Sequence, residues 1–296
     1  MANKVKDDVK QEVRNNIKEG KVQNLLEKLD KRIEEVQSSE EFREILEFYS
    51  KFHDYSYHNT LLIQMQHPGA THVAGYKQWK DKFNRHVRQG EKGIAILAPI
   101  TYTTTENEIE EVEIDGEIVE REIEKEVEKT YFRAVYVYDI SQTEGEEMPQ
   151  IDTSLEDTKS DLLKPLIKFA ENEGISVQYK SLPDKCEGYT KGDDEIIINQ
   201  NRNDTEKAAI LLHEIAHIRL HQVGEVNEEI KYNKEIKEME AEAVAFVVMD
   251  YFGLEIKSDK YLALYKKSYD LQDSLERIKN ISNEIISIIK GINSWA

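Results

Sequence analysis

The 296-residue sequence has one cysteine, Cys186, which excludes an internal disulfide. A thiol with no second sulfur near it reads as a packed residue rather than a nucleophile. No hydrophobic run approaches the roughly 18 apolar residues that cross a bilayer, which excludes a membrane-spanning helix from the reading. The charged start Met1-Ala2-Asn3-Lys4-Val5-Lys6-Asp7 has no apolar stretch behind it, so no secretory signal is visible and a cytoplasmic protein is expected. Positive charge is also in short supply. With 40 basic against 59 acidic residues the net charge is −19, which excludes an evenly spread nucleic-acid-binding surface.

What charge there is has been sorted along the chain. Between Lys51 and Ile100 the basic residues Lys51, Lys77, Lys80, Lys82, Arg85, Arg88 and Lys92 outnumber Asp54, Asp81 and Glu91. Between Glu106 and Lys129 twelve acidic residues face three basic ones. An asymmetry of this kind points to different surfaces for different partners. The basic stretch is interleaved with Tyr76, Trp79, Phe83 and His86, a mixture suited to single-stranded nucleic acid. The spacing of Tyr76, Trp79 and Phe83 equally describes a helix face packed into a core, and Trp79 and Phe83 are read that way. Surface roles fall to Lys77, Lys80, Lys82, Arg85, Arg88 and Lys92. Tyr57, His58 and Asn59 are candidates for the same surface or for anchoring a turn.

The segment 7–50 has helical period, with Val22, Leu25, Leu26, Leu29, Ile33 and Val36 spaced mostly three or four apart, and two or three helices are expected there. Ser56 to Gln66 reads as a short helix stopped by Pro68-Gly69. Gly93 to Ile100 reads as a strand, Asp115-Gly116 as a hairpin turn between two alternating strands, and Tyr131 to Ile140 as a further, apolar strand. Residues 141–160 lack a sustained apolar period and read as a linker, with the boundary near 150. Beyond it come a helix near Leu162–Glu173, strands at Ser176–Tyr179 and Glu195–Asn199, and a long helix at Ala208–Gln222 capped by Asn203-Asp204-Thr205-Glu206.

On that long helix His213 and His217 are four residues apart, so both imidazoles leave one face about one turn apart and can take adjacent corners of a zinc tetrahedron. Glu214 is placed to reach a metal-bound water rather than the metal, as a general base must. A third ligand is expected from Glu238-Met239-Glu240-Ala241-Glu242, on the next helix. His221 extends the same face and reads as a supporting residue rather than a ligand. Tyr189, Tyr232 and Arg219 are candidate donors to an oxyanion.

The run Leu211-Leu212-His213-Glu214-Ile215-Ala216-His217-Ile218-Arg219-Leu220-His221, with Glu238-x-x-Ala241-Glu242, makes residues 157–254 resemble the ImmA/IrrE-like zinc peptidases. Upstream, Tyr55-Ser56-Tyr57-His58-Asn59, Gln66-His67-Pro68, Val73-Ala74-Gly75-Tyr76, Trp79 and Gly90-Glu91-Lys92-Gly93-Ile94 resemble the N-terminal domain of ArdC-type antirestriction proteins, and Ser141-Gln142-Thr143-Glu144-Gly145 fits that domain's end. The resemblance implies an α+β protein of two domains, carried by plasmids or other mobile elements. Residues 1–145 would bind single-stranded DNA, 146–160 would link, and 161–296 would form a zincin-like, gluzincin-type metallopeptidase domain. It implies Zn2+ on His213, His217 and Glu238, Glu214 as base, and Glu242 supporting a ligand from behind, with Glu240 the rival third ligand. Partners would be single-stranded DNA and a protein or peptide substrate, with no membrane. Asn84 stands where the family often has Gly, in a loop that a left-handed Asn preserves. The acidic hairpin is an elaboration. With the net charge it motivates a second reading, a non-catalytic DNA-binding or DNA-mimic antirestriction protein; a third reading is an ImmA-like protease that cleaves a repressor.

Overall fold

The computed structural model describes residues 20–31, 33, 36, 39–114, 117–147, 162–183, 186–192, 194–221, 234–254 and 271–293. Helix α1 covers 20–31, followed by α2 (Ser39–Lys51) and α3 (Tyr57–Gln66). Ser56 caps α3 by accepting from Asn59 N–H. Next come β1 (Val73–Gly75), α4 (Tyr76–Phe83), β2 (Arg85–Val87), β3 (Ile94–Ile114), β4 (Glu117–Asp139) and β5 (Thr143–Gly145). The C-terminal half holds α5 (Leu163–Asn172), β6 (Ser176–Lys180), β7 (Gly188–Lys191), β8 (Glu195–Asn199), α6 (Asp204–His221), α7 (Lys234–Tyr251) and α8 (Leu271–Asn293).

The four strand segments expected between 93 and 140 are two long strands. β3 and β4 pair antiparallel in unbroken register from Ile94↔Val137 to Ile114↔Glu117, so the apolar base and the acidic arm are one ribbon. The expected turn residues Asp115 and Gly116 lie outside the described residues. The base of the ribbon, with β1 on the far side of β4, makes a sheet of order β1-β4-β3. One face of it, with Ile94, Ile96 and Val137, packs on Phe48, Phe52, Ile63 and Ala70. The free edge of β3 is covered by side-chain amides. Asn59 exchanges two hydrogen bonds with the Leu97 backbone, each 2.8 Å. Gln66 exchanges two with Ala95, at 2.8 and 3.0 Å. Two amides on one helix thus satisfy an edge that would otherwise recruit another strand.

The second sheet has order β6-β8-β7, with β6 parallel and β7 antiparallel to β8. Strand β7 is not foreseen from the sequence, because four residues between Gly188 and Gly192 give too short an alternation to stand out. As expected, α6 starts with reciprocal capping: Asn203 Oδ1 accepts from Glu206 N–H and Glu206 Oε2 from Asn203 N–H.

A boundary near 150 divides the chain in sequence, but the largest core runs across it. Leu29, Phe42, Ile45, Leu46, Tyr49 and Leu61 share one buried cluster with Leu211, Ile215, Val244, Val248, Ile278 and Ile286. Helix α2 and the turn that follows it are the common wall, turning Phe48 and Phe52 to the first sheet and Phe42 and Tyr49 to the C-terminal half. Each such side chain, fully buried, contributes about 1.5–3 kcal/mol.

Candidate metal centre and nucleic-acid face

Helix α6 buries Leu211, Leu212, Ile215 and Ala216, and this fixes its rotation so that His213, His217 and His221 look toward α7. Helix α7 buries Val244 to Met249, which seats its first turns against the histidines. His213 Nε2 and His217 Nε2 are 3.0 Å apart, and Glu238 Oε2 lies 3.6 Å from the first and 3.8 Å from the second. Donor atoms bound at about 2.0–2.1 Å to a tetrahedral ion stand about 3.3 Å from one another. The three atoms form the one group of its kind among the described residues, all within 4.8 Å of each other. Buried His213 Nδ1 has no hydrogen-bond partner, and Glu242 Oε1 waits 3.7 Å away. Two imidazoles and a carboxylate on converging rotamers, with an orphaned nitrogen behind, fit a divalent metal ion.

The electrostatics agree. The His213 and then His217 rings beside it hold the Glu238 carboxyl well below the usual carboxylate range, against a smaller opposing effect of burial. Burial works against charge on His213, yet Glu238, Glu242 and Glu214 outweigh it and raise its pKa. The pocket is therefore a place where carboxylates seek a cation.

Glu214 is nearly buried, at 8% exposure, and its Oε2 accepts from Thr190 Oγ1 at 2.5 Å. Thr190 belongs to β7, the strand that sequence reasoning missed. Gly188 makes its approach to α6 feasible, since a Cβ there would stand 2.6 Å from Ile210 Cγ2 and 2.9 Å from the Ile197 carbonyl oxygen. Tyr189 alternates to the opposite face of β7, away from Glu214. Arg219 is held by Glu173 and Glu284, so two of the three candidate oxyanion donors face elsewhere. Tyr232 lies outside the described residues.

Glu240 stands apart from the group of His213, His217 and Glu238. Its fully buried carboxylate binds His221, Ser274 and Arg277, on the far side of α7 from Glu238. Burial opposes its charge, but the bonds from His221 and Arg277 prevail and lower its pKa.

The nucleic-acid candidates divide. Lys77, Lys80, Lys82, Arg88 and Lys92 are exposed. Arg85 is half-buried and committed to the Thr143 side chain and carbonyl and the Glu146 carbonyl; Arg88 pairs with Glu91. Tyr57 is a correction: at 2% exposure it belongs to the shared core, not to a surface. Asn59 is spent on Leu97, and the His58 ring packs edge-on against Tyr57, 4.9 Å between centroids. Trp79 is buried as expected, with Nε1 donating to the Tyr138 carbonyl at 2.8 Å, and Phe83 tilts against it. Asn84 takes the left-handed conformation, φ 50°, that ends α4. Sequence reasoning missed the outer face of the first sheet. There Phe132, Ala134, Tyr136 and Tyr138 alternate along β4; Phe132 and Tyr136 are more than half exposed, and Tyr76 stands edge-on to Tyr138. Gly93 is the floor under two of these rings, since a Cβ there would stand 2.9 Å from Tyr136 Cβ and 3.1 Å from Tyr138 Cζ.

Comparison with known proteins follows this division. Residues 5–138 match the N-terminal domain of the anti-restriction factor ArdC, and residues 170–277 match the IrrE N-terminal-like domain of a peptidase family. The chain thus resembles ArdC over its N-terminal segment and an IrrE-like peptidase domain over its C-terminal one. An uncharacterized Bacillus anthracis protein named for pXO2 is 26% identical over 290 residues, covering 86% of this chain. This chain spans about half of that relative, 48% of its length. Among solved structures, antirestriction protein ArdC from the R388 plasmid aligns in its metal-free form with TM-score 0.45 and 18% identity, over 80% of this chain and 84% of that one. Its Mn(II)-bound form aligns with TM-score 0.46 and 17% identity over the same shares. Among the described residues no helix is long and apolar enough to cross a membrane.

Proposed function

We propose that this ArdC-like chain is an antirestriction protein of a mobile element, binding single-stranded DNA through its N-terminal half and carrying a Zn2+-dependent peptidase site in its C-terminal half. The observation that carries the peptidase reading is the convergence of His213, His217 and Glu238 beside a carboxylate, Glu214, that is held by Thr190. A zinc ion on those three residues would acidify a water and polarise a peptide carbonyl. Glu214 takes the water's proton and returns it to the leaving amine, and Thr190 fixes the carboxylate in the orientation for both transfers. Strand β7 is an edge strand, so an extended substrate peptide can add beside it by main-chain hydrogen bonds.

The DNA reading rests on the exposed rings Tyr76, Phe132 and Tyr136 beside Lys77, Lys80 and Lys92. Bases stack on such rings while the cations neutralise phosphates. A groove of about 370 Å³, bordered by Tyr136, Ala134, Lys21 and Asn24, adjoins the rings and has room for a splayed base.

The decisive variant is Glu214→Gln. It should keep bound metal and DNA binding while losing peptide hydrolysis; full hydrolysis by this variant rules the mechanism out. The ribbon supports a second reading, a DNA mimic: Glu124, Glu126 and Glu128 share one face of β4 with no cation among their cross-strand partners Asn107, Thr105 and Thr103. That reading requires protection of DNA to survive Glu214→Ala and to fail when the ribbon is neutralised.

A further inference from the structure

We infer that His221, backed by Glu240, Ser274 and Arg277, is a positioning relay that fixes which nitrogen of His217 faces the metal cluster. The inference rests on the metal-binding reading above.

His217 turns Nε2 toward His213 Nε2 and Glu238 Oε2, at 3.0 and 3.8 Å. A nitrogen that ligates a metal carries no proton, so the ring's proton must sit on Nδ1. His217 Nδ1 stands 3.3 Å from His221 Nδ1. His221 Nδ1 must then accept, which places its own proton on Nε2. That nitrogen is 3.0 Å from Glu240 Oε2, which only accepts while ionised. Glu240 Oε1 in turn receives the Ser274 hydroxyl at 2.5 Å and the Arg277 guanidinium. Each proton position is therefore set by the ion pair at the far end. The relay is also sealed, since Glu240 is 0% and Ser274 1% exposed.

The arrangement divides the labour of orientation between two helices. His213 has Glu238 and Glu242 near its ring, both from α7. Among the described residues it is His221 that meets His217 Nδ1, taking its anchor from α7 through Glu240 and from α8 through Ser274 and Arg277. A role in packing alone would require only volume at position 221. A relay requires an acceptor facing His217 and a donor facing Glu240.

Those requirements separate two substitutions in the full-length chain. His221→Phe keeps a ring and removes both nitrogens, whereas His221→Gln keeps an oxygen to accept from His217 and an amide to donate to Glu240. The readouts are Co2+ and Zn2+ affinity by chelator competition, the visible spectrum of the Co2+ form, and the melting temperature with chelator present. His221→Phe should bind either metal about 10–100-fold more weakly and shift the Co2+ bands, the usual range for losing such a partner. His221→Gln should recover most of the affinity, while the metal-free melting temperatures report separately the cost to the fold of taking a donor from buried Glu240. Arg277→Gln, made at the partly exposed end, should weaken binding in the same direction and serves if His221→Phe does not fold. Wild-type affinity and spectrum in His221→Phe, or in Arg277→Gln where that variant stands in for it, overturn the relay and leave the metal site standing, as does an equal loss in Phe and Gln. A wild-type chain that takes up neither metal overturns the metal reading itself, and the relay with it.

Discussion

Lys279 on α8 is fully buried at the joint between the two halves of the chain, and it is the group whose behaviour with pH is most sharply defined. Its Nζ donates to the carbonyls of Tyr49 and Phe52, at 3.1 and 2.8 Å, and lies 5.0 Å from the Tyr49 ring centroid. These carbonyls end α2, where a cation is favoured by the helix dipole. Burial nevertheless dominates and pushes the lysine down to about 7, with Asp54 pulling weakly the other way. The unfolded chain holds this proton up to about pH 10.4. Between those values the unfolded state binds more protons than the folded one, so stability rises with pH across the window and falls as pH drops toward 7. At about 1.36 kcal/mol per unit, less the part already titrated at the lower limit, the rise from pH 7 to pH 9 is roughly 2 kcal/mol. Lys279→Met removes the titration and the two hydrogen bonds to the Tyr49 and Phe52 carbonyls. Urea unfolding of both chains at pH 7, 8 and 9, with chelator present, isolates the effect as the difference between wild type and variant, because other groups cancel. The wild type should gain on the variant by roughly 2 kcal/mol over the series. A flat difference would refute the reasoning, and would mean that the α2 carbonyls keep the ammonium charged inside the fold.

Tyr136→Ala and Tyr76→Ala should each weaken single-strand binding by about 1–3 kcal/mol without changing its salt dependence, whereas Lys77→Ala or Lys80→Ala should reduce the salt slope; titrations of a labelled oligonucleotide across a salt series separate the two. Gly188→Ala should displace β7 from α6 and free the Glu214 carboxylate, so peptide hydrolysis should fall while metal content, measured by atomic absorption, stays. Trp79→Ala should cost about 3–5 kcal/mol in denaturant unfolding, since it empties a core site and removes the indole hydrogen bond to the Tyr138 carbonyl. Glu238→Gln should abolish metal uptake, while Glu240→Gln should only weaken it, a contrast read by the same chelator competition.

The sequence by itself determined whatever depends on near neighbours in the chain. The four-residue step from His213 to His217 puts two imidazoles on one face of any helix. The Asn203 to Glu206 cap, the left-handed Asn84 and the buried Trp79 were legible for the same reason, since a cap, a turn or a helical stripe is written within one or two turns. Helical periodicity also separates Glu238 and Glu242 from Glu240, which lies about 200° round the helix. It does not say which side of α7 meets α6. That was decided by the buried residues Val244 to Met249, whose packing rotates Glu238 and Glu242 toward His213 and His217, and Glu240 toward His221 and α8. Tertiary structure alone supplied Thr190, from a four-residue strand brought to Glu214 by sheet pairing. It withdrew Tyr57 from the DNA surface because α3 turns that ring into a core built from both halves of the chain. It also assembled Tyr76, Phe132 and Tyr136 on one face, since rings more than fifty residues apart become neighbours only through the register of β1 and β4. Spacing along a chain fixes direction within one element, and only packing between elements fixes which directions meet.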